Sequence, residues 1–192
     1  MSEVADRFRR RADAFERLVE GVPPDRWTAQ SPCDEWDARG VVAHVIDMLG
    51  VMLRPLDRRL TPVDLADPLQ AFRSARADVE PLLADPGLAA TSTTSPAGTM
   101  PFEQLGDVFG GDMVWHGWDL AMATGQDATI DPDEVLAGLP AAEQMPPEMY
   151  EPEAFGPGVV VFGPRVDVPD DAPAQDRLLG LFGRDPCWTP TT

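Results

Sequence analysis

The chain has 192 residues, enough for one domain with a hydrophobic core, and 43% of them are hydrophobic and 25% charged, as in soluble globular proteins. Its net charge of −18, with 33 acidic residues against 15 basic ones, argues against a nucleic-acid partner, because phosphate binding depends on clustered basic side chains. No apolar run reaches the roughly 18 residues of a membrane span, and the N-terminal segment lacks the apolar stretch of a secretory signal. We therefore expect a cytoplasmic protein that binds no membrane.

The first part of the chain is predicted to form three helices. Apolar side chains recur at spacings of three and four over residues 3–20, and Gly21 and a pair of prolines end this first helix. A second periodic segment runs over about residues 37–53. Prolines then interrupt the pattern before a third helix at about residues 68–83.

The next part of the chain contains a fourth long helix. Residues 88–100 are small, β-branched and polar, which is typical of a loop or a short hairpin. The fourth helix is predicted over residues 102–124, with Gly125 at its C-terminal end. A shorter fifth helix follows over residues 131–145, with proline in its first turn and acidic residues near its positive end.

The C-terminal part of the chain differs in character, because prolines recur between residues 140 and 173. We predict an irregular, Pro-rich extension over residues 146–192, packing on a helical bundle formed by residues 1–145. The sequence GVVVF, at residues 158–162, is a candidate short strand, and a last short helix is predicted over residues 174–183. The predicted fold class is all-α, a four-helix bundle with long connections.

Ionisable side chains lie on the apolar face of the fourth helix, in the sequence GGDMVWHGWDLA at residues 110–121. Asp112, His116 and Asp119 follow Leu105 at helical spacings, on the stripe that is expected to face the core. We therefore expect these side chains to be substantially buried.

The second helix carries the other histidine of the chain, His44. It lies at helical spacing in a stripe of apolar residues: Val41, Met48 and Val51. Both histidines are thus predicted to point inward from different helices.

Two explanations fit a buried carboxylate beside histidines, because such a group needs a cation or hydrogen bonds. One is an ion pair between Asp112 and His116, one turn apart, with His44 an ordinary core residue. The other is a divalent metal held by two imidazoles and one carboxylate, with a coordination position left open. Asp119 is the alternative carboxylate ligand, or it accepts a hydrogen bond that orients an imidazole. Asp47 has the same two interpretations, besides that of a solvated carboxylate.

Aromatic and thiol side chains near these positions have two interpretations each. Trp115 and Trp118 flank His116 and either pack in the bundle or form the wall of a cofactor pocket. Trp36 is expected to pack at the start of the second helix. Cys33 is either a small packed residue or a reactive thiol near that helix, and the two cysteines are too few for a disulfide framework.

Three segments in order resemble a known family. They are SPCDEWDARGVVAHV (Ser31 to Val45), GDMVWHGWDLAMATG (Gly111 to Gly125) and DRLLGLFGRDPCW (Asp176 to Trp188). Together they resemble the DinB-like metal-binding superfamily, and specifically its mycothiol-dependent branch around maleylpyruvate isomerase. The resemblance extends over nearly the whole chain and implies a four-helix bundle.

The resemblance also implies a metal site and a reaction. Carried over by motif, His44, Asp112 and His116 would bind a divalent metal, expected to be zinc. The metal would convert mycothiol or a similar small thiol into a thiolate for transfer to, or isomerisation of, a small electrophile. Two departures separate the chain from the isomerase: Asp112 stands where the isomerase has Glu, and about 45 residues follow the predicted bundle where the isomerase has a separate C-terminal domain.

The resulting hypothesis is that the protein is a thiol-using metalloenzyme, a transferase or an isomerase. Its partners would be small molecules. No separate general base is evident, because both histidines are assigned to the metal. The alternative is a non-catalytic helical bundle that binds a metal or another ligand. We expect a monomer or a homodimer.

Overall fold

The computed structural model describes residues 2–95, 98–150 and 162–190. Helices dominate these residues, which confirms the predicted all-α class. The α-helices are α1 (Glu3–Glu20), α2 (Ala38–Leu53), α3 (Pro68–Ala84), α4 (Pro86–Ala89), α5 (Phe102–Thr124), α6 (Pro132–Glu143) and α7 (Ala174–Leu181). The remaining elements are two 3-10 helices, at Arg54–Leu56 and Pro147–Tyr150, and a hairpin of strands β1 (Ser92–Ser95) and β2 (Gly98–Pro101).

The long helices α1, α2, α3 and α5 form the predicted four-helix bundle. Helices α1 and α2 each pack against both α3 and α5, so that the four helices surround one core. Aromatic side chains fill its centre, and the rings of Phe15 and Phe72 meet edge to face with centroids 4.9 Å apart. No helix among the described residues is long and apolar enough to cross a membrane.

Side-chain caps explain why the helix boundaries agree with the sequence pattern. Ser2 accepts a hydrogen bond from the amide of Ala5 at the start of α1, and Asp37 caps α2 in the same way. Helix α3 begins with the Asp67 cap followed by proline. Helix α5 ends at Gly125, which adopts the left-handed conformation that glycine tolerates best.

The buried face of α2 differs from the predicted one. Of the four residues in the predicted stripe, Val41 is fully buried, whereas His44, Met48 and Val51 are only partly buried. The buried residues of the helix are Ala38, Val41, Val42, Val45, Ile46, Leu49, Met52 and Leu53. The helix is apolar on most of its circumference, so its spacing does not define one face, and His44 lies at the border of the core.

The chain divides into two compact units, residues 1–128 and 129–192. The first contains the bundle and the hairpin, which except for Pro101 lies within residues 88–100, the segment predicted as a loop or short hairpin. In the second, α6 packs against α7, and the ring of Phe182 stacks on that of Phe162 with centroids 5.4 Å apart. Apart from Phe162, the candidate strand at 158–162 lies outside the described residues, and the packing of residues 146–192 on the bundle stays a prediction.

Candidate metal centre

Two side chains of α5 form a buried polar pair. His116 is 7% exposed and Asp119, one turn later, is fully buried. The Nδ1 atom of His116 lies 2.8 Å from Oδ2 of Asp119, a hydrogen-bond distance. The carboxylate therefore orients the imidazole and favours the tautomer with its proton on Nδ1. Metal-binding histidines commonly have this partner, a carboxylate on the nitrogen that does not hold the metal.

The second histidine meets the first across the bundle. The ring centroids of His44, on α2, and His116, on α5, lie 4.6 Å apart, and the planes are inclined at 69°. The indole of Trp36 stacks on His44 at 4.2 Å and contacts the edge of His116 at 5.5 Å. The structure thus brings together the two histidines that the sequence places on different helices, with an aromatic side chain against both.

A thiol completes the cluster. The Sγ atom of Cys33 lies 3.3 Å from Oδ2 of Asp119, the oxygen that also contacts His116. One ligand atom each of Cys33, His116 and Asp119 lies within 4.8 Å of the other two. Nitrogen, carboxylate oxygen and thiolate sulfur are all ligands of zinc, so the chemistry of this donor set suits such an ion.

Hydrogen bonds within the loop before α2 hold the thiol and the indole in place. The hydroxyl of Ser31, a fully buried residue, lies 2.7 Å from the carbonyl oxygen of Trp36 and accepts from the amide of Cys33 at 3.2 Å. The side-chain amide of Gln30 lies 3.1 Å from the carbonyl oxygens of both Cys33 and Trp36. These contacts close the loop on itself, so the positions of Cys33 and Trp36 are set by local structure.

The other predicted site residues have different surroundings. Asp112 is partly buried and lies on α5 one turn before His116. Asp47 is exposed, Trp118 is buried and Trp115 is partly buried.

Sequence reasoning missed the indole that contacts both imidazoles. The sequence pattern places Trp36 only at the start of α2 and indicates Trp115 and Trp118, on the fourth helix, as the candidate pocket wall. The missed signal is Gly40, where an added Cβ would lie 3.0 Å from the Cβ of Trp36. Because residue 40 has no side chain, Trp36 can fold back along the first turn of α2 towards His44.

His116 belongs to two candidate ligand sets. The family resemblance implies His44, Asp112 and His116, whereas the distances group Cys33 and Asp119 with His116. In the first set, Asp119 would orient a ligand; in the second, it would itself be a ligand, and the metal would take the place of the hydrogen-bonding proton between Asp119 and His116.

Comparisons with known proteins agree with the fold. The family model described as the mycothiol maleylpyruvate isomerase N-terminal domain matches residues 8–111, which include Cys33, Trp36 and His44. Two relatives from Mycobacterium tuberculosis, of strains CDC 1551/Oshkosh and H37Rv, both carry the description "uncharacterized protein". Each is 32% identical over 180 residues, covering 91% of this chain and 94% of the relative. No solved structure matches the chain significantly.

Proposed function

Because the chain belongs to the mycothiol maleylpyruvate isomerase N-terminal domain family, we propose that it is a metal-dependent, thiol-using enzyme. Its thiol would be mycothiol or a similar low-molecular-weight compound. The reaction would be transfer of this thiol to a small electrophile, or isomerisation of the electrophile if the thiol is expelled again.

The observation that carries the proposal is the meeting of two imidazoles from separate helices. The rings of His44 and His116 lie 4.6 Å apart, and the second is held by a fully buried carboxylate. We propose that these two histidines and Asp112, one turn before His116, hold a divalent cation, expected to be zinc. When bound, such an ion would lower the pKa of a coordinated thiol and so supply a thiolate at neutral pH.

Asp119 and Trp36 hold the two imidazoles in place. Asp119 accepts a hydrogen bond from Nδ1–H of His116 and fixes the direction in which Nε2 points. Trp36 covers one face of His44. Both contacts restrict rotation of the imidazoles before a metal binds, which reduces the entropy cost of binding.

Cobalt(II) substitution tests the proposal, because a thiolate bound to cobalt gives an intense charge-transfer absorption in the near ultraviolet. The full-length cobalt-loaded protein is titrated with mycothiol and, as a matched control, with S-methyl mycothiol, which cannot form a thiolate. We expect the band to appear with the free thiol only, and to be lost in the His44→Ala variant. A cobalt spectrum that does not change when mycothiol is added would support the alternative, a non-catalytic metal-binding bundle.

A further inference from the structure

The side chain of Gln30 contacts the loop that carries Cys33 and Trp36 at several points. Gln30 itself is exposed and belongs to neither candidate ligand set. Its Nε2 atom lies 3.1–3.2 Å from four carbonyl oxygens of the loop, those of Ser31, Cys33, Asp34 and Trp36. Four carbonyl groups of the segment 31–36 therefore converge on one nitrogen atom.

Only a hydrogen-bond donor is stable among these oxygen atoms, because every one of them is an acceptor. The side-chain nitrogen of glutamine has two N–H groups and accepts nothing, so the four oxygens share its two protons. A glutamate of the same size would place another acceptor, with a negative charge, against the same oxygens. The loop therefore depends on the donor of residue 30 and not on its size.

Backbone hydrogen bonds fix the two ends of the loop. The amide of Ala38, at the start of α2, bonds the carbonyl of Ala29 at 2.9 Å. Residues 31–36, between these ends, form neither helix nor strand. Within this segment, the side chains of Gln30 and Ser31 supply hydrogen bonds that the backbone supplies in a regular element.

Two residues of this loop contact the candidate metal centre. The Sγ atom of Cys33 lies 3.3 Å from Oδ2 of Asp119. The indole of Trp36 stacks on His44 with centroids 4.2 Å apart. The carbonyl oxygens of the same two residues each lie 3.1 Å from Nε2 of Gln30. Loss of these carbonyl contacts would therefore release both the thiol and the indole from their positions.

We propose that Gln30 is a positioning residue of the candidate metal centre and acts through this loop. Its amide keeps Cys33 beside Asp119 and keeps Trp36 on the ring of His44, so that the imidazole is ordered before a metal binds. This order reduces the entropy cost of metal binding. The part of the proposal that concerns metal binding rests on the proposed function, whereas the part that concerns the loop does not.

Alkylation of Cys33 tests the loop in the metal-free, full-length protein. The variants are Gln30→Glu, which reverses the hydrogen-bonding character at constant size, and Gln30→Met, which has a similar size and no donor. The control is Gln70→Glu, the same change at an exposed glutamine of α3. Iodoacetamide, an uncharged reagent, is added, and mass spectrometry compares Cys33 with the exposed Cys187. We expect Cys33 to react about tenfold faster in Gln30→Glu, faster to a smaller extent in Gln30→Met, and at the parent rate in the control.

Metal binding by the same variants tests the positioning role. Zinc affinity, measured by competition with a chromophoric chelator, should fall about tenfold in Gln30→Glu and by less in Gln30→Met. The visible absorption bands of the cobalt-loaded protein should also change in both variants, because His44 loses its stacked indole. A role limited to the stability of the loop would leave this spectrum unchanged. The Gln70→Glu control should match the parent in both measurements.

Each result bears on one claim. Equal alkylation of Cys33 in Gln30→Glu and Gln70→Glu, or parent-like behaviour of Gln30→Met, would overturn the role of the Gln30 donor. Faster alkylation with the zinc affinity and cobalt spectrum of the parent would overturn the positioning of the metal centre. A parent chain that takes up no zinc would contradict the proposed function, and the alkylation rates would still decide whether Gln30 holds the loop.

Discussion

Among single residues, Asp119 is the one whose position in the candidate metal centre is most constrained by burial and by side-chain contacts. It is fully buried, and its Oδ2 atom contacts both the imidazole of His116 and the thiol of Cys33. An isolated ionised carboxylate in this position would lose several kcal/mol of solvation, and the contacts with His116 and Cys33 offset part of that loss. An ionised Asp119 would in turn make His116 a better donor to a metal.

Replacement of this charge should weaken metal binding. Asp119→Asn keeps the size of the side chain but replaces the carboxylate that faces Nδ1 of His116 with a neutral amide. We expect a 10- to 100-fold loss of zinc affinity, the usual effect of losing such an orienting partner, measured by competition with a chromophoric chelator. Asp47→Asn, an exposed carboxylate on α2, is the control and should bind zinc like the parent chain. Equal affinities for Asp119→Asn and the parent would contradict the orienting role.

The thiol of Cys33 distinguishes the two ligand sets. If His44, Asp112 and His116 hold the metal, Cys33→Ala should retain zinc affinity within about tenfold, since it loses only a weak contact to Asp119. The cobalt-loaded parent should also show no thiolate band before an external thiol is added. A strong band that Cys33→Ala abolishes, and that the exposed Cys187→Ser control retains, would instead identify Cys33 as a ligand.

The site residues divide into those that helical spacing predicts and those that it does not. Helical spacing indicates that both histidines point inward from different helices, which agrees with the contact of their rings, although it does not define the buried face of α2. The contact of Cys33 with Asp119 depends on a loop closed by side-chain bonds from Gln30 and Ser31. Such a loop has no periodicity, and nothing in its spacing indicates which way the thiol points.

Among the helices, α1 and α3 are joined by an ionic network around Glu16. Its carboxylate accepts hydrogen bonds of 2.7 Å from Arg73 and from Arg76. Burial alone would raise the pKa of Glu16, but the hydrogen bonds and charges of the two arginines together lower it below the ordinary value of 4.5. The lowered pKa means that the ionised carboxylate stabilises the folded state above pH 4.5, and that this stabilisation is lost as the pH falls through the pKa of the folded protein.

Neutralisation of Glu16 should therefore destabilise the bundle in a pH-dependent manner. Glu16→Gln is expected to lower the free energy of unfolding by about 1–2 kcal/mol at pH 7, measured by urea denaturation. The difference from the parent chain should shrink as the pH falls below 4.5, because the parent then loses the same charge. Glu20→Gln, whose carboxylate is 60% exposed and 3.5 Å from Arg73, should have little effect. A Glu16→Gln deficit that is equal at pH 7 and pH 3.5 would refute this account.

Helix boundaries could be predicted more accurately than helix faces. The Asp67 cap with proline at the next position, and the left-handed Gly125, are local signals that fix an end within a residue or two. The face of α2 is different, because apolar residues surround most of this helix and the choice of side depends on α3 and α5. His44 consequently lies at the edge of the core and not within it.

At the scale of the whole molecule, the family model and the candidate metal centre cover different parts of the chain. The family model ends at residue 111, just before Asp112 and His116 on α5. The two mycobacterial relatives match 91% of the chain, so the similarity continues into the second unit. The candidate metal centre lies entirely in the first unit, where the loop before α2, α2 itself and α5 supply its side chains.

The central claim is that one cation joins α2 to α5, and anomalous diffraction at the zinc absorption edge tests it most directly. In crystals of the zinc-loaded full-length protein, we predict a single strong peak about 2.0–2.2 Å from a nitrogen of His44, a nitrogen of His116 and a carboxylate oxygen of Asp112. Asp119 should still accept the hydrogen bond from Nδ1–H of His116. A zinc ion bound by Cys33 and Asp119 without His44, or no zinc at this cluster, would contradict the account.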